Sequence, residues 1–330
     1  MELVMALKFK SKVDVSVSPL FCDKLSFTID YKTNSERAHI VSAAQELVSC
    51  KAAFRCIRSP YKKGIGIYQG NYPNRLRMLI QWDPKYPEAS YLRVDFNPAN
   101  ADLDDVWVKL NHTLPGGIGD YLGKAVFTRL DAAADIYGYL PHQLAAYYPQ
   151  KSITQTNSKS GVIETLYIGT KEDANRVVLY DKMRHVKEQK KKYNLTLPFP
   201  DCPTTRVEIR MKPCVGADDL LGIQNPFEKL LLRPVSAFQD DPSPLWKLFV
   251  AAVQARGAQD ALLLLPECTR KSFKAKIEAA SADWWQPIKL WEGWPTMVSK
   301  VLLTPAENPY LAIADDQQGS KKASQEPVAA

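Results

Sequence analysis

The side chains able to do chemistry fall on three segments whose residue types alternate with period two. Arg129, Asp131, Ala133 and Asp135 interleave with Leu130, Ala132, Ala134 and Ile136. Arg206, Glu208 and Arg210 interleave with Val207, Ile209 and Met211, and Arg176, Val178, Tyr180 and Lys182 with Val177, Leu179 and Asp181. Residues two apart in a strand share a face, so each segment offers one apolar row and one ionic or phenolic row. A solvated outer sheet face gives the same alternation. The functional alternative is a sheet face where carboxylates gather beside a tyrosine. Close carboxylates repel one another unless a cation lies between them, and Asp and Glu oxygens suit Mg²⁺ or Mn²⁺. Such an ion would polarise a phosphodiester and orient an in-line attack on it. A phenol with a pKa of ~10 is a poor nucleophile without a neighbouring cation, and Lys182 and Arg176 are the expected ones.

The elements that must position these rows are mainly strands. Lys24 to Asp30 alternates with period two, and a helix follows from about Ser35 to Ser49, capped by Asn34 or Ser35, with Ile40, Ala43, Ala44 and Leu47 on one face. Gly64 to Tyr68, Arg77 to Trp82 and Tyr91 to Phe96, separated by Pro-, Asn- and Gly-containing turns, read as an antiparallel meander. Further strands are expected over Val126 to Ile136, Val162 to Ile168, Arg176 to Asp181 and Thr205 to Met211. Beyond Pro213 the pattern turns helical, over Pro226 to Leu232, Leu245 to Arg256 and Thr269 to Ala282. The division predicted is residues 1–215 as a strand-rich domain, 216–310 as a helical region and 311–330 as a small, polar, disordered tail.

Composition sets the outer bounds. With 330 residues, of which 45% are hydrophobic and 24% charged, the chain can bury a sizeable core. No apolar run approaches the ~18 residues needed to cross a bilayer, so no membrane association is expected and the cytoplasm is the expected location. Six cysteines without a Cys-x-x-Cys pair suggest neither a zinc cage nor a disulfide framework. The net charge of +7 suits an anionic polymer partner, and Arg184, Lys187, Lys190, Lys191 and Lys192 concentrate positive charge just after Tyr180. Trp284, Trp285, Trp291 and Trp294 either stack on unpaired bases or pack against the rest of the chain.

Four segments taken in order carry a family likeness: Thr128-Arg129-Leu130-Asp131 with Asp135, Thr165 to Thr170, Arg176 through Tyr180-Asp181-Lys182, and Arg206-Val207-Glu208-Ile209-Arg210. Asp23 to Thr28 and Asn225-Pro226-Phe227 extend it. From Lys24 to Leu232 the chain resembles the Rep-trans replication initiation family, which includes initiators of staphylococcal-type rolling-circle plasmids and replication proteins of filamentous phages and conjugative elements. The resemblance implies an α+β fold: a central antiparallel sheet of the degenerate His-hydrophobic-His endonuclease type, with flanking helices and a helical C-terminal region. His39, His112, His142 and His185 form no His-x-His motif, so the acidic-ligand version is the one implied.

By position, the resemblance makes Tyr180 the nucleophile, in competition with Tyr167 and Tyr193, assisted by Lys182 and Arg176. Asp131, Asp135 and Glu208 become the ligands of Mg²⁺ or Mn²⁺. Arg129, Arg184, Lys187, Lys190, Lys191, Lys192, Arg206 and Arg210 become the DNA contacts. The implied activity is nicking of one strand at an origin through a 5′-phosphotyrosyl intermediate that leaves a free 3′-hydroxyl, followed by rejoining. Implied partners are single-stranded or cruciform origin DNA, a host helicase and a second copy of the chain. The rival expectation is a DNA-binding regulator of phage or plasmid origin that no longer nicks.

Overall fold

The computed structural model describes residues 15–302, apart from 58–59, 69–75, 118–120, 122, 150, 160, 194–201, 239–240 and 281. The expected tail over 311–330 lies outside the described residues. In chain order the elements are β1 (Ser16–Val17), β2 (Phe21–Ile29), α1 (Asn34–Ser49), β3 (Phe54–Arg55), β4 (Tyr61–Tyr68), β5 (Leu76–Pro84), β6 (Leu92–Phe96), α2 (Leu103–Thr113), β7 (Val126–Tyr137), β8 (Leu144–Tyr147), β9 (Ile153–Asn157), β10 (Ile163–Ile168) and β11 (Asn175–Asp181). There follow α3 (Lys182–Tyr193), β12 (Thr204–Met211), α4 (Ala217–Leu220), β13 (Leu231–Pro234), α5 (Pro244–Arg256), α6 (Ala258–Leu263), α7 (Glu267–Ala279), α8 (Pro287–Trp291) and α9 (Trp294–Leu302). The fold is α+β.

One 11-stranded sheet runs in the order β3-β4-β5-β6-β2-β7-β12-β11-β10-β9, with β1 also pairing to β7. Each strand pairs antiparallel with its neighbours. The alternation in sequence explains the middle of this sheet. Leu130, Ala132, Ala134 and Ile136 of β7, with Val207 and Ile209 of β12, are at most 2% exposed, and most of them enter one large apolar cluster. A one-residue slip would bring the ionic rows into that cluster, so the buried face specifies the register.

Helix α1 starts at Asn34 and is capped by Thr33, one residue earlier than the pattern suggests. Thr33 Oγ1 accepts from the Glu36 amide at 3.2 Å and the Glu36 carboxylate accepts from the Thr33 amide at 3.1 Å, so the reciprocal pair sets the boundary. The segment from Pro226 to Leu232 is not helical. Asn225 Oδ1 accepts from the Phe227 amide at 2.9 Å, closing a turn, and Leu231–Pro234 then pairs with Leu144–Tyr147 as a separate two-stranded sheet. Pairing with a distant strand overrides the helical preference of a Leu-rich run bounded by Pro226 and Pro234.

The C-terminal helices divide between two apolar clusters. Trp285 and Trp294, with Met297 and Val298, join the main cluster, and the indole nitrogens donate to the carbonyls of Leu230 at 2.8 Å and Leu220 at 3.0 Å. These tryptophans therefore pack. The second cluster gathers Trp246, Phe249, Phe273 and Ile277 against Ala145 and Tyr147. Among the described residues, no helix is long and apolar enough to cross a membrane.

Trp246 anchors the second cluster: its ring lies 4.6 Å from that of Phe273 and 5.2 Å from that of Phe249, and its Nε1 donates to Phe238 at 2.7 Å. Trp246→Ala is expected to cost about 3–5 kcal/mol in urea unfolding. A loss below about 1 kcal/mol would contradict this packing.

Candidate active site

Register brings the ionic rows of five strands onto one side of the sheet. Across β7 and β12, Arg206 lies opposite Asp135, Glu208 opposite Ala133 and Arg210 opposite Asp131. Across β11 and β12, Tyr180 lies opposite Arg206 and Arg176 opposite Arg210. Thr165 of β10 faces Tyr180, Tyr167 faces Val178, and Lys24 of β2 faces Asp131. Between Cys22 and Lys24 the pairing of β2 with β7 shifts by a bulge, and a bulge re-aims a side chain. Asp23, at that shift, reaches Arg206. Directly opposed residues share a face, so Asp23, Asp131, Asp135, Tyr180 and Glu208 form one acidic and phenolic patch.

Arginines balance this patch. Arg206 donates from Nε and Nη2 to the two carboxylate oxygens of Asp135 at 2.7 and 2.8 Å, and from Nη1 to Asp23 at 2.6 Å. The Phe21 ring lies beneath its guanidinium at 4.6 Å. Arg129 makes a two-pronged contact with Asp131, at 2.8 and 2.5 Å, and Arg210 meets Glu208 at 2.5 Å. Asp131, Glu208 and Arg206 are 1%, 3% and 6% exposed, so these charges are held where solvent screens them little.

The electrostatics follow from that burial. Glu208 is pushed up to about 7, first by burial and then by the charge of Asp131, against the pull of Arg210. The Tyr180 phenol is raised well above its usual value by burial, and Asp23, Glu208 and Asp135 add to this while Arg206 opposes it. Burial works against the Arg206 charge, but the Asp135 hydrogen bonds and the negative surroundings hold its pKa above normal.

A groove of about 620 Å³ opens over this face, lined among others by Asp131, Tyr167, Tyr180, Lys182, Glu208 and Arg210. Helix α3 starts immediately after β11, with the Arg184 amide donating to Asp181 Oδ1 at 2.9 Å. It carries Lys187, Lys190, Lys191 and Lys192, while Arg184 is engaged by Glu164 and by Glu188. Tyr193 closes that helix.

Several placements differ from the expected ones. Arg176 shares the face with Tyr180 but lies four residues along the strand, roughly 13 Å by strand rise, and its guanidinium sits 4.3 Å from the Tyr167 ring centre. It is too far along to favour the Tyr180 phenolate, and Arg206, directly opposite Tyr180, is the nearer cation. Both oxygens of Asp135 accept from Arg206, as both oxygens of Asp131 accept from Arg129, so either carboxylate would have to leave its arginine before holding a cation. Sequence reasoning missed Asp23, whose inward aim depends on a bulge. His185, soon after Tyr180, reads in sequence as a surface histidine of a basic helix in preference to a proton relay; its ring lies 5.5 Å from that of Tyr180.

Asp131 and Glu208 suit a hard cation in donor chemistry, since both are buried carboxylates and the Asp131 charge helps to raise Glu208, a repulsion that positive charge relieves. Mg²⁺ commonly binds through one or two carboxylates with water and phosphate completing its shell. Among the described residues, no group of three His, Cys, Asp or Glu is gathered as a ready-made metal cage.

Two curated proteins named replication initiation protein, both from Staphylococcus aureus, are 31% identical to this chain. One aligns over 126 residues, 37% of this chain and 35% of its own length, and the other over 144 residues, 41% of each. The chain thus spans about two fifths or less of the curated relatives it matches. A solved rolling circle replication initiator protein from Geobacillus stearothermophilus superposes with a TM-score of 0.36 at 13% identity, covering 74% of this chain and 98% of its own. No protein-family model matches. The resemblance to replication initiators is thus matched by similarity to proteins of that name over about two fifths of this chain.

Two measurements check the electrostatic reading. Glu208 binds its proton more tightly folded than unfolded, so its contribution is full below about pH 4.5 and lost as pH rises through about 7. In EDTA, the parent protein should lose up to about 3 kcal/mol between pH 5 and 8 from this group, and Glu208→Gln should abolish that slope; equal slopes would contradict the burial assigned to Glu208. Arg206→Met, which strands Asp23 and Asp135, should cost about 3–5 kcal/mol in denaturant unfolding.

Proposed function

We propose that the chain is a rolling-circle replication initiator that nicks one DNA strand at its origin, with Tyr180 as nucleophile. The observation that supports this most is the convergence on one groove of Tyr180, the buried carboxylate pair Asp131 and Glu208, and Lys182 and Arg184 at the start of the basic helix α3. Phosphoryl transfer requires positioning of a nucleophile and stabilisation of charge on the phosphate, and these residues supply both kinds of group.

In the proposed step the single strand lies along the groove, its phosphates met by Lys182 and the lysines of α3. Arg206, opposite Tyr180, favours the phenolate as the phenol gives its proton to solvent. The Tyr180 Oη–phosphorus bond forms while the phosphorus–O3′ bond breaks, and the departing 3′-oxygen takes up a proton. The product is a 5′-phosphotyrosyl ester and a 3′-hydroxyl primer. Rejoining is the reverse, a 3′-hydroxyl attacking the ester. Asp131 and Glu208 would hold Mg²⁺ or Mn²⁺, which supplies charge stabilisation at the scissile phosphate. Cruciform or single-stranded origin DNA as substrate, a host helicase, a second copy of the chain and a cytoplasmic location belong to the same proposal.

One observation favours the rival, a regulator that binds origin DNA without cutting it. Every carboxylate of the patch is already paired with an arginine, and burial keeps the Tyr180 phenol protonated. A nicking enzyme must release at least the Asp131 and Glu208 pairs when metal and DNA enter, whereas a regulator need not.

Incubation with labelled single-stranded origin DNA in Mg²⁺, Mn²⁺ or EDTA, followed by a denaturing gel, separates the two. The enzyme gives a metal-dependent covalent adduct that Tyr180→Phe abolishes. Binding without an adduct in either metal is the regulator's result.

A further inference from the structure

Arg176 is a residue of the ionic face whose electrostatics the nicking chemistry leaves unexplained. It lies directly opposite Arg210, and like charges so placed are destabilising. Arg210 is compensated by Glu208 at 2.5 Å. For Arg176, no carboxylate is within ion-pair distance among the described residues, and its Nε is buried without a hydrogen-bond partner. Its guanidinium rests instead on the Tyr167 ring, 4.3 Å from the ring centre. A partly buried guanidinium with an unused donor calls for an anion.

Tyr167 is half-buried and lines the same groove as Tyr180. With Thr165 opposite Tyr180 and Tyr167 opposite Val178, Tyr167 is the diagonal neighbour of Tyr180, about 7–8 Å away between Cα atoms. A nucleotide next to the one whose phosphate meets Tyr180 falls within its reach. Arg176 holds the ring from one side, so the aromatic surface facing the groove is fixed in orientation.

We infer that Tyr167 and Arg176 form a nucleotide subsite beside the nicking tyrosine: a flanking base stacks on the Tyr167 ring, and that nucleotide's phosphate accepts from Arg176. This rests on the reading that the groove carries single-stranded DNA. Stacking of this kind tolerates any base, since all four present a π-face. The subsite also separates the two tyrosines of the groove, one for chemistry and one for holding the strand.

The test uses the full chain in EDTA, with two fluorescein-labelled probes read by anisotropy: a mixed-sequence single-stranded oligonucleotide and an abasic strand of the same length. Tyr167→Ala should weaken binding of the base-bearing strand about 5- to 100-fold without the same loss on the abasic strand, and Tyr167→Phe should recover the lost affinity. Arg176→Gln should weaken both probes and lower the slope of log affinity against log salt by about 0.7, one phosphate contact. Tyr167→Ala binding the base-bearing strand as the parent does, or losing both probes equally, as a folding defect would, overturns the subsite. A parent protein that binds neither probe overturns the initiator reading itself.

Discussion

Arg206 is the interaction on which the polar side of the sheet depends. It occupies a row of three acids, in a place where only 6% of its surface meets water, and it grips Asp135 with two hydrogen bonds and Asp23 with a third. Without it, Asp23 of β2 and Asp135 of β7 would both lose their cation. Because Asp23, Asp135 and Arg206 come from β2, β7 and β12, the same contacts fix how these strands stand side by side. The apolar row behind them sets the register, and the ionic row in front makes that register carry a specific charge pattern.

That pattern has a chemical consequence. Burial disfavours charge on Tyr180 and Glu208, so both are held toward their neutral forms, and only arriving cations or the arginines already present can reverse this. A site built so is quiet when empty and responds to what enters it. The arginine pairs of Asp131 and Glu208 act in the same direction, keeping carboxylates in place that repel one another. The groove therefore combines a protonated phenol, mutually repelling acids and an adjoining basic helix, each of which would gain from a metal ion or a phosphodiester in the groove.

Much of this was legible from period-two alternation alone. The rows at Arg129–Asp135, Arg176–Tyr180 and Arg206–Arg210 lie on one face as their spacing requires, because a strand offers a side chain only two directions. What alternation could not give is which acids meet which bases. Asp135 reads like Asp131 in sequence, yet the register sets it opposite Arg206, and Arg176 reads as a partner for Tyr180 though strand rise carries it away to Tyr167. Asp23 reaches the patch through a bulge, a backbone irregularity with no composition of its own. The turn and strand after Asn225 were missed for a similar reason: pairing with Leu144–Tyr147 is a long-range choice that local propensity does not contain.

The central claim is that the phenol of Tyr180 becomes covalently joined to DNA, and peptide mass spectrometry tests it most directly. After incubation with single-stranded origin DNA and Mn²⁺, nuclease trimming and tryptic digestion, Val177–Lys182 is released as a peptide whose sole tyrosine is Tyr180. The account predicts a nucleotide adduct on that peptide. An adduct on the Ser160–Lys171 peptide, which contains Tyr167, or on the one beginning at Tyr193, or on none, would contradict it.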